Sequence, residues 1–218
     1  MKFRIDLKIF AFIILFFITK QIEIYSLIMA FAIIHELAHL FAGIILKFEP
    51  EKLELIPLGL TVSFKINLND YNKKIYNANE FEIKKIIIAS AGPIINLIIA
   101  ILFYKFKFFP KINQTIVYAN LLIAIFNLLP IYPLDGGRIL KGVLHLAFGK
   151  WRARKYINDI SIICVIILTA ITSIGIYYYK NIAILAIILY LWIIVLRENS
   201  IYKKQLNIYK VIKTIENK

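Results

Sequence analysis

Apolar residues are gathered into six runs, at about residues 9–19, 23–46, 86–104, 114–133, 160–179 and 181–196, with short polar or charged stretches between them. Most approach the roughly 20 residues that cross the hydrocarbon core of a bilayer. The pattern predicts an integral membrane protein, mainly α-helical, with about six transmembrane helices, the first and last being the shortest. One stretch follows another period. Leu60, Val62, Phe64, Ile66 and Leu68 alternate with Thr61, Ser63, Lys65 and Asn67 behind a Pro57–Leu58–Gly59 turn, which is the repeat of a strand. A small β-hairpin or sheet is therefore expected at about residues 51–68, between the second and third spans.

Composition agrees with this picture: 61% of the 218 residues are hydrophobic and the mean hydropathy is +0.76, more than the surface of a soluble domain tolerates. The first run lacks the small-residue cleavage site of a signal peptide and runs into "TKQIEIY", so it reads as a span. No repeat and no Gly/Ser-rich linker divides the chain. A single membrane-embedded domain over 1–218 is expected, with residues 197–218 as a tail too short for a folded accessory domain.

The net charge of +14 changes the picture only by orienting it. With six crossings, 22 of the 27 Lys and Arg fall in the N-terminus, residues 47–85, residues 134–158 and the tail. Lys20, Lys105, Lys107, Lys111 and Lys180 are the five opposite. Basic segments stay in the cytoplasm, so both termini are expected there, facing anionic lipid rather than nucleic acid. Cys164 is the single cysteine; it excludes an intrachain disulfide and reads as a packing residue.

The chemistry begins in "FAIIHELAHLFAGIIL", residues 31–46, where two histidines and a glutamate interrupt a membrane run. A charge at the centre of a membrane helix costs at least about 2.5–3.5 kcal/mol, so these groups need a partner or a role. On a helix His35 and His39 differ by about 40° in azimuth and about 6 Å in rise, which puts both imidazoles on one face. That spacing lets them share a zinc ion, with Glu36 as the general base of an H-E-x-x-H metalloprotease; the bland alternative is a hydrogen-bonded polar cluster. A catalytic zinc takes a third protein ligand. The candidates are Asp135, His145, Asp159 and Cys164. In "NLLPIYPLDGGRIL" two prolines break a span and present Asp135 ahead of two glycines, a place for a ligand or for the N-cap of the following helix.

Together "HELAH", "AGPIINL" and "FNLLPIYPLDGGR", in this order and on separate spans, resemble the site-2 protease family of intramembrane zinc metalloproteases, most of all its stage IV sporulation protein FB branch. The resemblance implies one zinc per chain held by His35, His39 and Asp135, with Glu36 activating the water. It implies that Asn96, in the Gly92-Pro93-x-x-Asn96 motif, and Asn127, ahead of the Asp-Gly loop, meet substrate or a developing oxyanion; the alternative is that both amides join helices. Many members carry a PDZ or a CBS domain. This chain shows neither, so docking through such a domain and control by ATP are not implied.

The expected function is thus cleavage of a membrane-bound or membrane-associated protein, such as a pro-sigma factor in a sporulating cell. The expected location is the cytoplasmic membrane of a bacterium or archaeon, or the membrane around a forespore. Membrane inhibitors or activators are expected partners, and an oligomer is compatible with the sequence. A metal transporter would use the same ligands for transit, and a non-catalytic membrane chaperone would not need Glu36; both are weaker readings.

Overall fold

Ten elements follow one another in the computed structural model, which describes residues 2–5, 7–56, 59–64, 75–179 and 182–216. They are β1 (Lys2–Ile5), α1 (Lys8–Ile18), α2 (Ile22–Ile45), β2 (Pro50–Ile56), β3 (Gly59–Phe64), α3 (Ile75–Phe106), α4 (Asn113–Asn127), α5 (Asp135–Phe148), α6 (Lys150–Tyr179) and α7 (Ile182–Glu216). Contacts divide the chain into two units, Met1–Leu128 and Leu129–Lys218.

Four helical segments among the described residues are long and apolar enough to cross a membrane: Ile22–Ile45, Asn79–Phe106, Lys150–Gly175 and Leu185–Tyr209. These correspond to four of the six apolar runs. The other two form shorter helices, α1 with 11 residues and α4 with 15. For α4 the reason is local. The apolar run continues through "LLPIYPL", but Pro130 and Pro133 have no backbone N–H to extend a helix, and α4 ends at Asn127.

In the first unit β1, β2 and β3 form a sheet in that order, with β1 parallel to β2 and β3 antiparallel to it. A hairpin is what the alternation predicts; the third strand, from the N-terminal residues, is a correction to that reading. Lys2–Ile5 looks like the charged flank of a membrane helix, and only its pairing partner Lys52–Leu55 shows it to be a strand. The parallel pair needs a crossover, which α1 and α2 supply. Ser63 is exposed while Val62 and Phe64 are half-buried, so the alternation is visible over the part of β3 that can be followed; Lys65 to Leu68 lie outside the described residues.

The Phe64 ring packs against buried Gly43 of α2, where a Cβ would collide with it. Phe48 continues the contact with rings at 5.9 Å from Phe64 and 5.4 Å from Phe81. These contacts tie the sheet to the end of α2. The polar first turns of α3 carry two ion pairs, Lys84–Glu80 at 2.7 Å and Lys85–Glu82 at 2.5 Å, at the three- and four-residue spacings that face each other on a helix.

In the second unit α6 packs on α5 and on α7. Its core is Ile131, Val165 and Val195, with Leu134, Cys164 and Trp192 against them; Cys164 is thus a packing residue. Trp192 donates its indole N–H to Thr169 Oγ1 at 2.9 Å, and Thr169 donates to the Val165 carbonyl at 2.7 Å. Such chains satisfy polar atoms where no water competes. The tail is a continuation of α7 to Glu216.

Candidate metal centre

His35 and His39 are 2% and 3% exposed, on the face of α2 that the four-residue spacing predicts. Each ring is held through Nδ1. His39 Nδ1 lies 2.7 Å from the carbonyl of Ile88 on α3. Pro93, four residues beyond Ala89, removes the donor that the Ala89 carbonyl would use and loosens α3 at this point; the neighbouring Ile88 carbonyl serves the histidine. A carbonyl only accepts, so His39 Nδ1 carries the proton.

The His35 tautomer follows from a longer chain. Asn120 Nδ2 donates to the Ile116 carbonyl at 2.9 Å, which leaves Asn120 Oδ1 as the acceptor. Asn96 Nδ2 donates to that oxygen at 2.8 Å, so Asn96 presents Oδ1 to His35 Nδ1, 2.6 Å away. His35 Nδ1 must therefore donate. Asn96 and Asn120 are fully buried.

Both Nε2 atoms then offer a lone pair, and they lie 3.1 Å apart. Two lone pairs at that distance repel; they do not form a hydrogen bond with each other. Two such nitrogens are the donor pair that one metal ion takes. Two nitrogens of a tetrahedral zinc, each about 2.0–2.1 Å from the metal, stand roughly 3.3 Å apart, close to the separation present. Gly92 completes the opening, since a Cβ there would lie 2.5 Å from both Nε2 atoms. The first unit therefore fits a metal on chemical grounds.

Glu36 is half-buried beside the pair on α2. Asn127, at the end of α4, donates Nδ2 to the Ile123 carbonyl at 3.0 Å. Asn120 had no place in the sequence reading, although an amide in the apolar run "YANLLIAIF" is the signal that could have found it.

In the second unit Asp135 is 4% exposed and begins α5, with Leu134 as the N-cap. Asp135 is thus inside the first turn, where the helix dipole favours a carboxylate. Arg138 is 3.7 Å away. Gly137 fixes the approach of the loop: a Cβ on it would lie 2.5 Å from the Ile131 carbonyl group and from Tyr132 N. Of the remaining candidates, His145 is half-buried in the last turn of α5, and Asp159 is exposed. His35, His39 and Asp135 are all buried, and each offers one atom of a kind that binds zinc.

Residues 24–112 and 106–171 match the model of peptidase family M50. The chain belongs to this family. A zinc metalloprotease of Methanocaldococcus jannaschii is 29% identical over 144 residues, which are 63% of this chain and 39% of the relative. The chain thus spans about two-fifths of the length of that relative. Among solved structures, a site-2 protease from the same organism matches 91% of each chain with a TM-score of 0.65 at 21% identity. This likeness shows a shared fold.

Proposed function

We propose that this M50 chain is an intramembrane zinc endopeptidase that cleaves a membrane-bound or membrane-associated protein. The observation that carries the proposal is the pair of buried imidazole Nε2 atoms 3.1 Å apart in a membrane helix, each ring held through its Nδ1. In this reading His35, His39 and Asp135 are the three zinc ligands. A zinc ion bound there supplies a water of lowered pKa and polarises the scissile carbonyl.

Glu36, one residue from a ligand, takes the proton of the attacking water and returns it to the leaving amine. Asn96 acts through His35, fixing its tautomer and aiming Nε2. Asn127, whose Nδ2 bonds within its own helix, is the amide left to meet substrate. His35 and His39 stand roughly 10–17 Å along the helix from Leu46, so the scissile bond lies below the membrane surface and substrate enters between helices.

Six crossings with both termini cytoplasmic remain the topology that best sorts the basic residues, with α1 and α4 as the two short crossings. Pairing of β1 with β2 supports it, because the N-terminus and the 50–64 hairpin must share one side. On β3, an edge strand of the sheet, an unwound substrate can add as a further strand. The branch its motifs most resemble points to a pro-sigma factor of a sporulating cell as substrate, under the control of membrane inhibitors or activators.

Co-expression with membrane-tethered transcription-factor precursors tests the activity. Wild type yields a shortened product and Glu36→Gln yields at least about 100-fold less; equal cleavage by the two removes Glu36 as the base. In the same assay Ser63→Pro abolishes cleavage with zinc retained, and Ser63→Ala leaves most of it, because backbone groups bind the added strand. A proline variant that holds zinc and still cuts removes the strand from the account.

A further inference from the structure

The second unit contains a small recess, open to one side, whose charged lining is Lys141, Arg154 and Glu198. None of the three has an ion pair or hydrogen bond among the described residues, and all are half-buried. Half-buried cations and a carboxylate that share a cavity without pairing are open to a ligand. Lys141 is held in place by the Tyr132 ring, with its ammonium 4.5 Å from the ring centroid. Tyr132 is in turn anchored, its N–H donating to Ser161 Oγ at 2.9 Å.

The recess also has a defined level. On α6 the charged stretch from Lys150 to Asp159 gives way to the apolar run from Ile160, and on α7 the apolar run ends at Leu196 and charge begins at Arg197. Arg154, Asn158 and Glu198 line the recess from the charged side of that boundary, and Ser161 and Val195 from the apolar side.

We infer that this recess binds the phosphodiester of an anionic membrane phospholipid. Two cations and one carboxylate leave a single positive charge, which a phosphodiester monoanion balances. Lys141 and Arg154 donate charge-assisted hydrogen bonds to its oxygens. The polar floor takes the ester end, and the apolar side of the boundary meets the acyl chains. Glu198 repels a second anion and keeps the exchange reversible. A ligand here touches Lys141 on α5, Arg154 on α6 and Glu198 on α7, so it clasps the three helices of this unit.

The test is thermal unfolding of the purified, delipidated full chain in detergent, titrated with phosphatidylglycerol, with diacylglycerol, or with soluble glycerophosphoglycerol. Phosphatidylglycerol raises the midpoint saturably and diacylglycerol does not. Lys141→Gln combined with Arg154→Gln weakens the apparent affinity about tenfold or more, while the exposed tail pair Lys203→Gln and Lys204→Gln leaves it unchanged. Glu198→Gln strengthens it about threefold, an effect that a misfolded variant cannot mimic. Saturation by glycerophosphoglycerol at similar concentrations supports the phosphodiester site and makes its source soluble; a response to the lipid alone makes it the bilayer. Equal shifts with diacylglycerol, undiminished affinity in the double variant, or weaker binding by Glu198→Gln overturns the inference.

Discussion

The two units hold their metal-ligand candidates in different ways. In the first, His35 and His39 sit mid-helix and are fixed by side-chain hydrogen bonds, one ending directly on the Ile88 carbonyl and the other running through Asn96 and Asn120 to the Ile116 carbonyl. In the second, Asp135 stands at a helix start, and its place is set by backbone shape, with Gly137 pressed against Ile131 and Tyr132. A hydrogen-bonded ligand keeps both position and protonation state; a backbone-held ligand keeps position alone. Imidazole needs the first, since a proton on Nε2 would block metal. A carboxylate does not.

The two glycines sharpen this contrast most. Gly92→Ala places a Cβ 2.5 Å from both Nε2 atoms, so the rings must move and zinc binding and activity are lost, while no backbone is displaced and the loss of stability is smaller than at Gly137. Gly137→Ala collides with backbone and forces the loop to move, which lowers stability by about 1–3 kcal/mol and zinc content together. Thermal unfolding and metal content measured on both variants separate the two mechanisms; equal destabilisation by the two would erase the distinction.

A smaller effect is expected at Asn96. Asn96→Ala removes the acceptor that fixes the His35 tautomer, and zinc affinity falls about 10- to 100-fold, as for other partners of metal-bound histidines. Competition with a chelator measures it, and an unchanged affinity would mean that His35 does not need the chain of amides.

Asn120→Ala is milder. It leaves the Asn96 amide unsatisfied at about 1–3 kcal/mol, read as lower thermal stability with zinc affinity reduced only severalfold. Asn127→Ala removes a bond within one helix and should leave zinc content at the wild-type level, while cleavage falls if Asn127 meets substrate. Loss of zinc in this variant would place Asn127 with the ligands instead.

How far the sequence could be read follows from the same contrast. His35 and His39 are visible because helical spacing alone predicts a shared face. Asn96 is visible as a polar residue at membrane depth, but its direction is not, because an amide can face substrate or ring equally well until its partners are known. Asn120 is hidden for the same reason. The strand at Lys2–Ile5 is four residues long and stands beside a charged helix flank, so only its partner reveals it. The run at 114–133 looks like one span because hydropathy does not register that prolines end a helix. The Asp-Gly loop is legible where those prolines are counted, and the role of Gly137 becomes apparent only when the packed loop is seen.

The most direct test of the metal centre is zinc content of the purified full chain, wild type beside His35→Ala and Asp135→Asn. About one equivalent is expected in the wild type and a sharp fall in both variants, since a three-ligand site loses most of its affinity with one ligand gone. A full equivalent retained by Asp135→Asn would contradict the ligand set and return the third position to His145 or Asp159.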